Sequence, residues 1–366
     1  VGLVLDKVRR DVGAQTHVHE TTLRLQPGTM TVLLGATLAG KTSLMRLMAG
    51  LDRPTSGRIL VEEGGRERDV TGVAVRERSV AMVYQQFINY PNLDVFENIA
   101  SPLRVKGLPR AEIESKVRAM ARLMQIEPFL ERMPLNLSGG QQQRTAMARA
   151  LIKGADLILL DEPLANLDYK LREELREELP KIVRLSNATV VYATTDPQEA
   201  LLLGDQTATL WQGRVTQHGP SAAVYRRPHN LTTAQIFSDP PFNLLPFTKS
   251  AAEILLPGGA RVPAPGAFVG LADGNYRFGF RAHQLELRAA SGSGLHFGGT
   301  VLVVEIAGSE SFVHVECAGQ RWVALAPGVH RFEPGAAISV RVDPMAVFVF
   351  DSGGRLAHAP AFLSAA

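Results

Sequence analysis

Three short runs in this chain bring together residue types that handle phosphate. The run Gly35-Ala36-Thr37-Leu38-Ala39-Gly40-Lys41-Thr42, followed by Ser43, fits G-x-x-x-x-G-K-[ST]. Glycines let backbone N–H groups approach phosphate oxygens, and the N-terminus of a following helix adds a favourable dipole. In such a loop Lys41 reaches the β/γ-phosphates of a nucleotide and the Thr42 hydroxyl reaches Mg²⁺. The second run, Leu157 to Leu160, is apolar and ends in Asp161-Glu162. A carboxylate at a strand end suits Mg²⁺, often through water, which assigns Asp161. Its neighbour Glu162 suits orienting or deprotonating an attacking water. The third run is Leu137-Ser138-Gly139-Gly140-Gln141. Ser138 reads as the N-cap of a helix with two glycines in its first turn. Each glycine weakens a helix by about 1 kcal/mol, a cost that makes sense where the turn must press against a phosphate.

The flanking sequence supplies elements to position these runs. Residues 29–34 read as a buried strand leading into the glycine loop, and Lys41 to Ala49 as a helix stopped by Gly50. The Ser138 helix extends to about Lys153. Val80 to Tyr84 and Thr189 to Ala193 read as strands. Pro109 to Met124 is amphipathic, with Ile113, Val117, Met120 and Met124 on one face for core packing. Asp168 to Leu185 is a helix whose charge run (LREELREEL) reads as a solvated face, and Pro180 is expected to end or kink it. Thr207 to Trp211 and Arg214 to Gln217 suggest a hairpin around Gly213. After Asp239-Pro240-Pro241 helical patterns vanish. Short β-like runs follow at 268–271, 276–280, 299–306, 311–316, 322–325, 338–342 and 346–350, as in a small β-barrel. The expected organisation is an α/β nucleotide-binding domain over 1–234, with a helical subdomain at about 88–153, and an all-β domain over 235–366.

Composition narrows the class. With 366 residues, 45% hydrophobic and 20% charged, the chain can bury sizeable cores in two or three domains. No apolar run approaches the ~20 residues of a membrane span, and the N-terminus shows no signal-peptide pattern. Val1 reads as a trimmed start or an unusual start codon. The single cysteine, Cys317, excludes an internal disulfide, fits a reducing compartment and reads as a small buried hydrophobe. Net charge is only +3 and no basic tail is present, so a nucleic-acid partner is not expected.

The three runs, in this order, resemble the P-loop, Walker B strand and LSGGQ signature of ATP-binding cassette (ABC) proteins. The resemblance covers almost the whole chain. With the C-terminal β domain it is most similar to the ATPase subunits of bacterial carbohydrate importers, such as those for maltose and glycerol 3-phosphate, whose extra domain is an OB-like (TOBE-type) barrel. The resemblance implies ATP and Mg²⁺ as cofactors and an ATPase coupled to transport. It places the protein peripherally on the cytoplasmic face of the bacterial inner membrane, against two permease subunits, with a periplasmic solute-binding protein acting indirectly. Gln85, in Val83-Tyr84-Gln85, falls at the family's Q-loop glutamine, which senses Mg²⁺ or the attacking water. Residues 88–98, with Tyr90-Pro91-Asn92-Leu93-Asp94-Val95-Phe96-Glu97-Asn98, resemble the segment that meets the permease. Leu164-Ala165-Asn166-Leu167-Asp168 resembles the D-loop, with Asp168 at the dimer interface. In the family Ser138, Gly139, Gly140 and Gln141 face the γ-phosphate held by the opposite subunit. One P-loop and one signature imply that a second cassette completes each site.

Three positions depart from the family pattern. The switch histidine of T-H-D-x-x-E-A is replaced by Thr195 in Thr194-Thr195-Asp196-Pro197-Gln198-Glu199-Ala200. The aromatic residue that stacks on adenine is matched by Val12, in Arg9-Arg10-Asp11-Val12-Gly13; losing a stack costs roughly 1–3 kcal/mol unless Arg9 or Arg10 replaces it. Leu38 stands where the P-loop usually has glycine. These departures imply an altered ATP site beside an intact signature, as in a heterodimer of two different ATPase subunits. The stretch TTDPQEALLLG most resembles one half of the glycerol-uptake systems. The alternatives are a subunit that binds ATP but hydrolyses it poorly, with a structural or regulatory role, and a soluble ABC ATPase outside transport.

Overall fold

The apolar runs assemble into two separate compact units, residues 1–221 and 222–366. The structure is a computed structural model that describes residues 1–86, 88–165, 167–287 and 294–361. Residues 222–234, which the sequence reading assigned to the first domain, stand with the second unit. There Leu231 and Ala234 pack against Phe242, Phe348 and Phe350.

In the first unit the strands are β1 (Gly2–Val12), β2 (Gln15–Leu25), β3 (Met30–Leu34), β4 (Ser56–Glu63), β5 (Arg66–Asp69), β6 (Val80–Val83), β7 (Leu157–Asp161), β8 (Thr189–Thr194), β9 (Gln206–Trp211) and β10 (Arg214–Pro220). The helices are α1 (Lys41–Ala49), α2 (Val95–Val105), α3 (Arg110–Leu123), α4 (Gly139–Ile152), α5 (Tyr169–Ser186) and α6 (Pro197–Leu203). An antiparallel sheet has the order β2-β1-β4-β5, and a mostly parallel one the order β10-β9-β3-β8-β7-β6. In the second sheet β3, β7 and β8 are buried at every residue, as parallel strands covered on both faces must be. Leu34 aligns with Thr194 and Asp161 with Ala193, so Gly35, Glu162 and Thr195 leave the sheet at one edge. Carboxyl ends of parallel strands are where α/β folds place ligands.

Helices α2, α3 and α4 pack against one another. Ile113, Val117 and Met124 are buried and Met120 is half-buried, so this face is core. Pro180 does not end α5: the helix runs on to Ser186 and forgoes only the bond that the missing N–H would have made. Nor is the charge run of α5 wholly solvated. Arg176 is 8% exposed because it turns inward to carboxylates on and before α6.

The second unit holds two antiparallel sheets around one core. The first spans six strands and includes Asn243–Ser250, Gly274–Phe280 and Phe348–Asp351. The second spans five and includes Leu295–Ile306, Glu310–Cys317 and Gln320–Pro327. Trp322 is fully buried, edge-on to Phe280 and Phe297 with centroids 5.1 Å away in each pair. Its indole N–H donates to the Leu244 carbonyl at 3.0 Å. Cys317 is buried under Gly299, where an added Cβ would sit 2.3 Å from its sulfur. The expected strand at 268–271 is absent. Gly266–Phe268 forms a turn entered at φ +50° that drops Phe268 into the core, and a short apolar run does not itself distinguish the two. Among the described residues no helix is long and apolar enough to cross a membrane.

Candidate functional site

The glycine loop joins β3 to α1, and each of its unusual residues has a local cause. A Cβ on Gly35 would lie 2.5 Å from the Leu210 carbonyl oxygen, so packing against β9 by itself requires the first glycine. Gly40 caps α1 at φ +103°, a conformation L side chains rarely adopt. Leu38 also has a positive φ, 67°, and is 96% exposed. This is where the family pattern has glycine, and a side chain there costs roughly 1–2 kcal/mol.

Lys41, 4% exposed, turns back into the loop. Its ammonium donates to the Gly35 carbonyl at 2.7 Å and the Ala36 carbonyl at 3.1 Å, and lies 3.2 Å from Glu162 Oε1. The Thr42 hydroxyl donates to Asp161 Oδ2 at 2.7 Å. Burial pushes the Asp161 carboxyl above its ordinary range, against the opposing pull of the Thr42 bond. Gln85 donates its amide to the other oxygen of Glu162 at 3.2 Å. Glu162 has φ 47°, an uncommon conformation for a non-glycine residue. Its N–H is held by the Ala193 carbonyl at 3.0 Å, across to β8. The loop, the carboxylate pair and Gln85 thus form one connected set.

An open cleft of about 570 Å³ runs beside this set. Thr37, Leu38, Ala39, Gly40, Lys41, Thr42 and Ser43 line one side, with Gln85 and Glu162. The other side is built from Gln15, Thr16 and His17 of β2 and the Gln212-Gly213 turn. Sequence reading missed this second wall. Gly213 stood out only as the turn of a hairpin, and nothing local marks β2, which arrives from another sheet.

Other expected residues stand apart from the cleft. Val12 is 45% exposed and is not on its wall. Neither arginine replaces it: Arg9 binds Asp11 and Thr16, and Arg10 donates to the Arg53 carbonyl at 2.9 Å. Ser138 caps α4 in a capping box, accepting from the Gln141 N–H at 3.4 Å while its own N–H donates to the Gln141 side chain at 3.0 Å. Ser138 and Gly139 are exposed, and Gly140 and Gln141 half-buried; none lines this chain's cleft. Asp168 caps α5, accepting from the Leu171 N–H at 3.0 Å. Asn166 lies outside the described residues.

Thr195 is exposed just beyond β8, next to the Ala193 carbonyl that holds Glu162. Its neighbours are clamped. Buried Thr194 donates to Glu199 Oε2 at 2.6 Å, as does the Tyr192 hydroxyl at 2.9 Å. Arg176 lies 2.6 Å from Asp196, 3.1 Å from Glu199 and 2.7 Å from Glu173. Burial disfavours its charge, yet these carboxylates outweigh that and raise its pKa.

Comparison with known proteins agrees with this geometry. Residues 18–165 match the family described as ABC transporter, and residues 278–350 the TOBE domain. The alpha-glucoside transport ATP-binding protein AglK of Rhizobium meliloti is 33% identical, over 97% of this chain and 98% of its own length. The sn-glycerol-3-phosphate import ATP-binding protein UgpC of Brucella abortus is 34% identical over 96% and 98%. The trehalose/maltose import ATP-binding protein MalK of Thermococcus litoralis is 34% identical over 96% and 97%. Among solved structures, the ATP-binding cassette MJ0796, dimeric in a post-hydrolysis state with ADP and Pi, superposes with a TM-score of 0.54. The identity is 27%, over 60% of this chain and 98% of that one. The chain therefore belongs to the ATP-binding proteins of ABC transporters, as an ATPase whose hydrolysis is coupled to transport and whose ATPase domain is followed by a TOBE domain.

Proposed function

We propose that this chain powers import of a carbohydrate or polyol, glycerol first among them, as one of two different ATPase subunits beneath a pair of permease subunits. It would sit peripherally on the cytoplasmic face of the inner membrane and engage the permeases through residues 88–98, with a periplasmic solute-binding protein as an indirect partner that delivers solute to the permeases. The near full-length relatives named as import or transport ATP-binding proteins support the importer reading. The TTDPQEALLLG stretch supports glycerol.

The observation that carries the site assignment is the convergence of Lys41, Thr42, Glu162 and Gln85 on one cleft, with buried Asp161 held to Thr42 behind its wall. ATP phosphates would lie along residues 35–43 and draw the Lys41 ammonium away from Glu162. Glu162, held by Gln85, would then orient the attacking water. Mg²⁺ fits the donors present. Thr42 and Asp161 offer a hydroxyl and a carboxylate side by side, with Gln85 near, and no cluster of three metal-binding side chains exists among the described residues. Such a hard oxygen set suits Mg²⁺ completed by phosphate oxygens. When bound, Mg²⁺ supplies charge neutralisation at the transferring phosphoryl group.

The asymmetry rests on the contrast between the two halves of the chain. Thr195 cannot supply the imidazole of the switch, Val12 cannot stack, and Leu38 strains the loop. The capped α4 terminus with Gly139 and Gly140 is intact. The main contribution to hydrolysis is then made in trans, through the signature. Losing one group that stabilises transition-state charge typically costs about 10²–10³ in rate. Gly139→Asp should abolish most ATPase activity of the assembled transporter, whereas Glu162→Gln should cost much less than the same change in the partner subunit. Loss of all hydrolysis with Glu162→Gln alone while Gly139→Asp is tolerated refutes this. An active transporter reconstituted with this chain as its only ATPase refutes it equally.

A further inference from the structure

We propose that the His17 ring is the platform on which the nucleotide base stacks, in place of the aromatic side chain missing at Val12. The inference rests on ATP binding by the cleft. Among the described residues lining that cleft His17 carries the only aromatic ring, and Val12 is not among them. Strand alternation fixes its direction: Val18 is 2% exposed in the core, so His17 faces the opposite side of β2, where it is exposed.

The position of His17 is set by backbone packing against the phosphate loop. A Cβ on Gly213 would come within 2.5 Å of the His17 carbonyl oxygen, and one on Gly40 within 3.3 Å. The Gly213 N–H donates to the Ala39 carbonyl at 2.9 Å, and the His19 N–H to the Gly213 carbonyl at 2.8 Å. Three segments, β2, the β9–β10 turn and the loop before α1, are thereby locked together. The ring starts from a fixed point beside the residues that would hold the phosphates. Among the described residues a base attached to those phosphates meets no other aromatic face along this cleft, and the cleft leaves room for it. Base–aromatic stacking needs only two π faces in register and tolerates any base.

The test compares binding of ATP and of inorganic tripolyphosphate, which has no base, to the purified full chain by calorimetry. His17→Ala should weaken ATP binding by about 5- to 150-fold, leave tripolyphosphate binding unchanged, and leave the melting temperature unchanged because the side chain is exposed. His17→Trp should restore ATP affinity. Lys41→Ala should weaken both ligands. Unchanged ATP affinity in His17→Ala, with both ligands weakened in Lys41→Ala, overturns the platform while sparing the phosphate site. Equal loss of ATP and tripolyphosphate in His17→Ala also overturns it, since the ring would then act on phosphate. Lys41→Ala without effect on either ligand overturns the nucleotide assignment and the platform with it.

Discussion

Replacing Arg176 by Met should destabilise the first unit through one buried carboxylate. Arg176 faces three acids, but they are not equivalent. Side chains of Glu173 and Asp196 are 40% and 33% exposed, so those pairs are screened by water and worth at most about 1 kcal/mol each. The side chains of Glu199 and Arg176 are only 7% and 9% exposed, a pair closed off from solvent. Without the guanidinium, Glu199 keeps, among the described residues, the Tyr192 and Thr194 hydroxyls as partners for its charge. Removing one member of a buried pair typically costs about 3–5 kcal/mol. For a unit of this size that corresponds to a fall in melting temperature of roughly 6–20 °C. Scanning calorimetry on the nucleotide-free chain measures it. Glu199→Gln in the same background removes the stranded charge, so the double variant should lose far less than the two single losses added together. A fall below 2 °C for Arg176→Met, or strictly additive losses, would show that the pair is not the buried interaction the geometry describes. The same network holds the two neighbours of Thr195, since Thr194 bonds Glu199 and Asp196 pairs with Arg176.

Two further perturbations probe the loop and its carboxylate. Leu38→Gly removes a side chain from a left-handed backbone position, relieving roughly 1–2 kcal/mol against about 0.5–1 kcal/mol of added unfolded-chain entropy. The first unit should melt at the same temperature or slightly higher, and clear destabilisation in thermal denaturation would contradict the strain. Asp161→Asn tests the burial of its carboxyl. The folded pKa is raised, so protonated Asp161 favours folding below its unfolded pKa, and that contribution is lost as pH rises through the folded value. The nucleotide-free variant should therefore melt higher than wild type near pH 7, and the gap should close below the ordinary carboxylate range. A gap that widens on acidification reverses the sign and refutes the argument.

Much of the site was legible because phosphate contact is a local problem. A strand, a glycine turn and a helix start place Gly35 to Ser43 within one stretch, and Ser138 caps its helix with a neighbour three residues on. An apolar run ending in Asp161-Glu162 likewise announces a buried parallel strand with acids at its end. Hydrophobic period and caps are properties of consecutive residues, so α1 and α4 could be bounded closely from the sequence. Tertiary structure decided the rest. Packing against the Leu210 carbonyl of β9, a residue far along the chain, by itself requires Gly35. Lys41 meets Glu162, and Gln85 meets it from the other side, only because β3, β8, β7 and β6 lie in that order. The charge run of α5 looked uniformly solvated, yet Arg176 is drawn inward by Glu199, a partner that periodicity cannot reveal. The second wall of the cleft, His17 and the Gln212-Gly213 turn, comes from a different sheet and a hairpin. No local pattern encodes that meeting, because the contacts that produce it are between backbones distant in sequence.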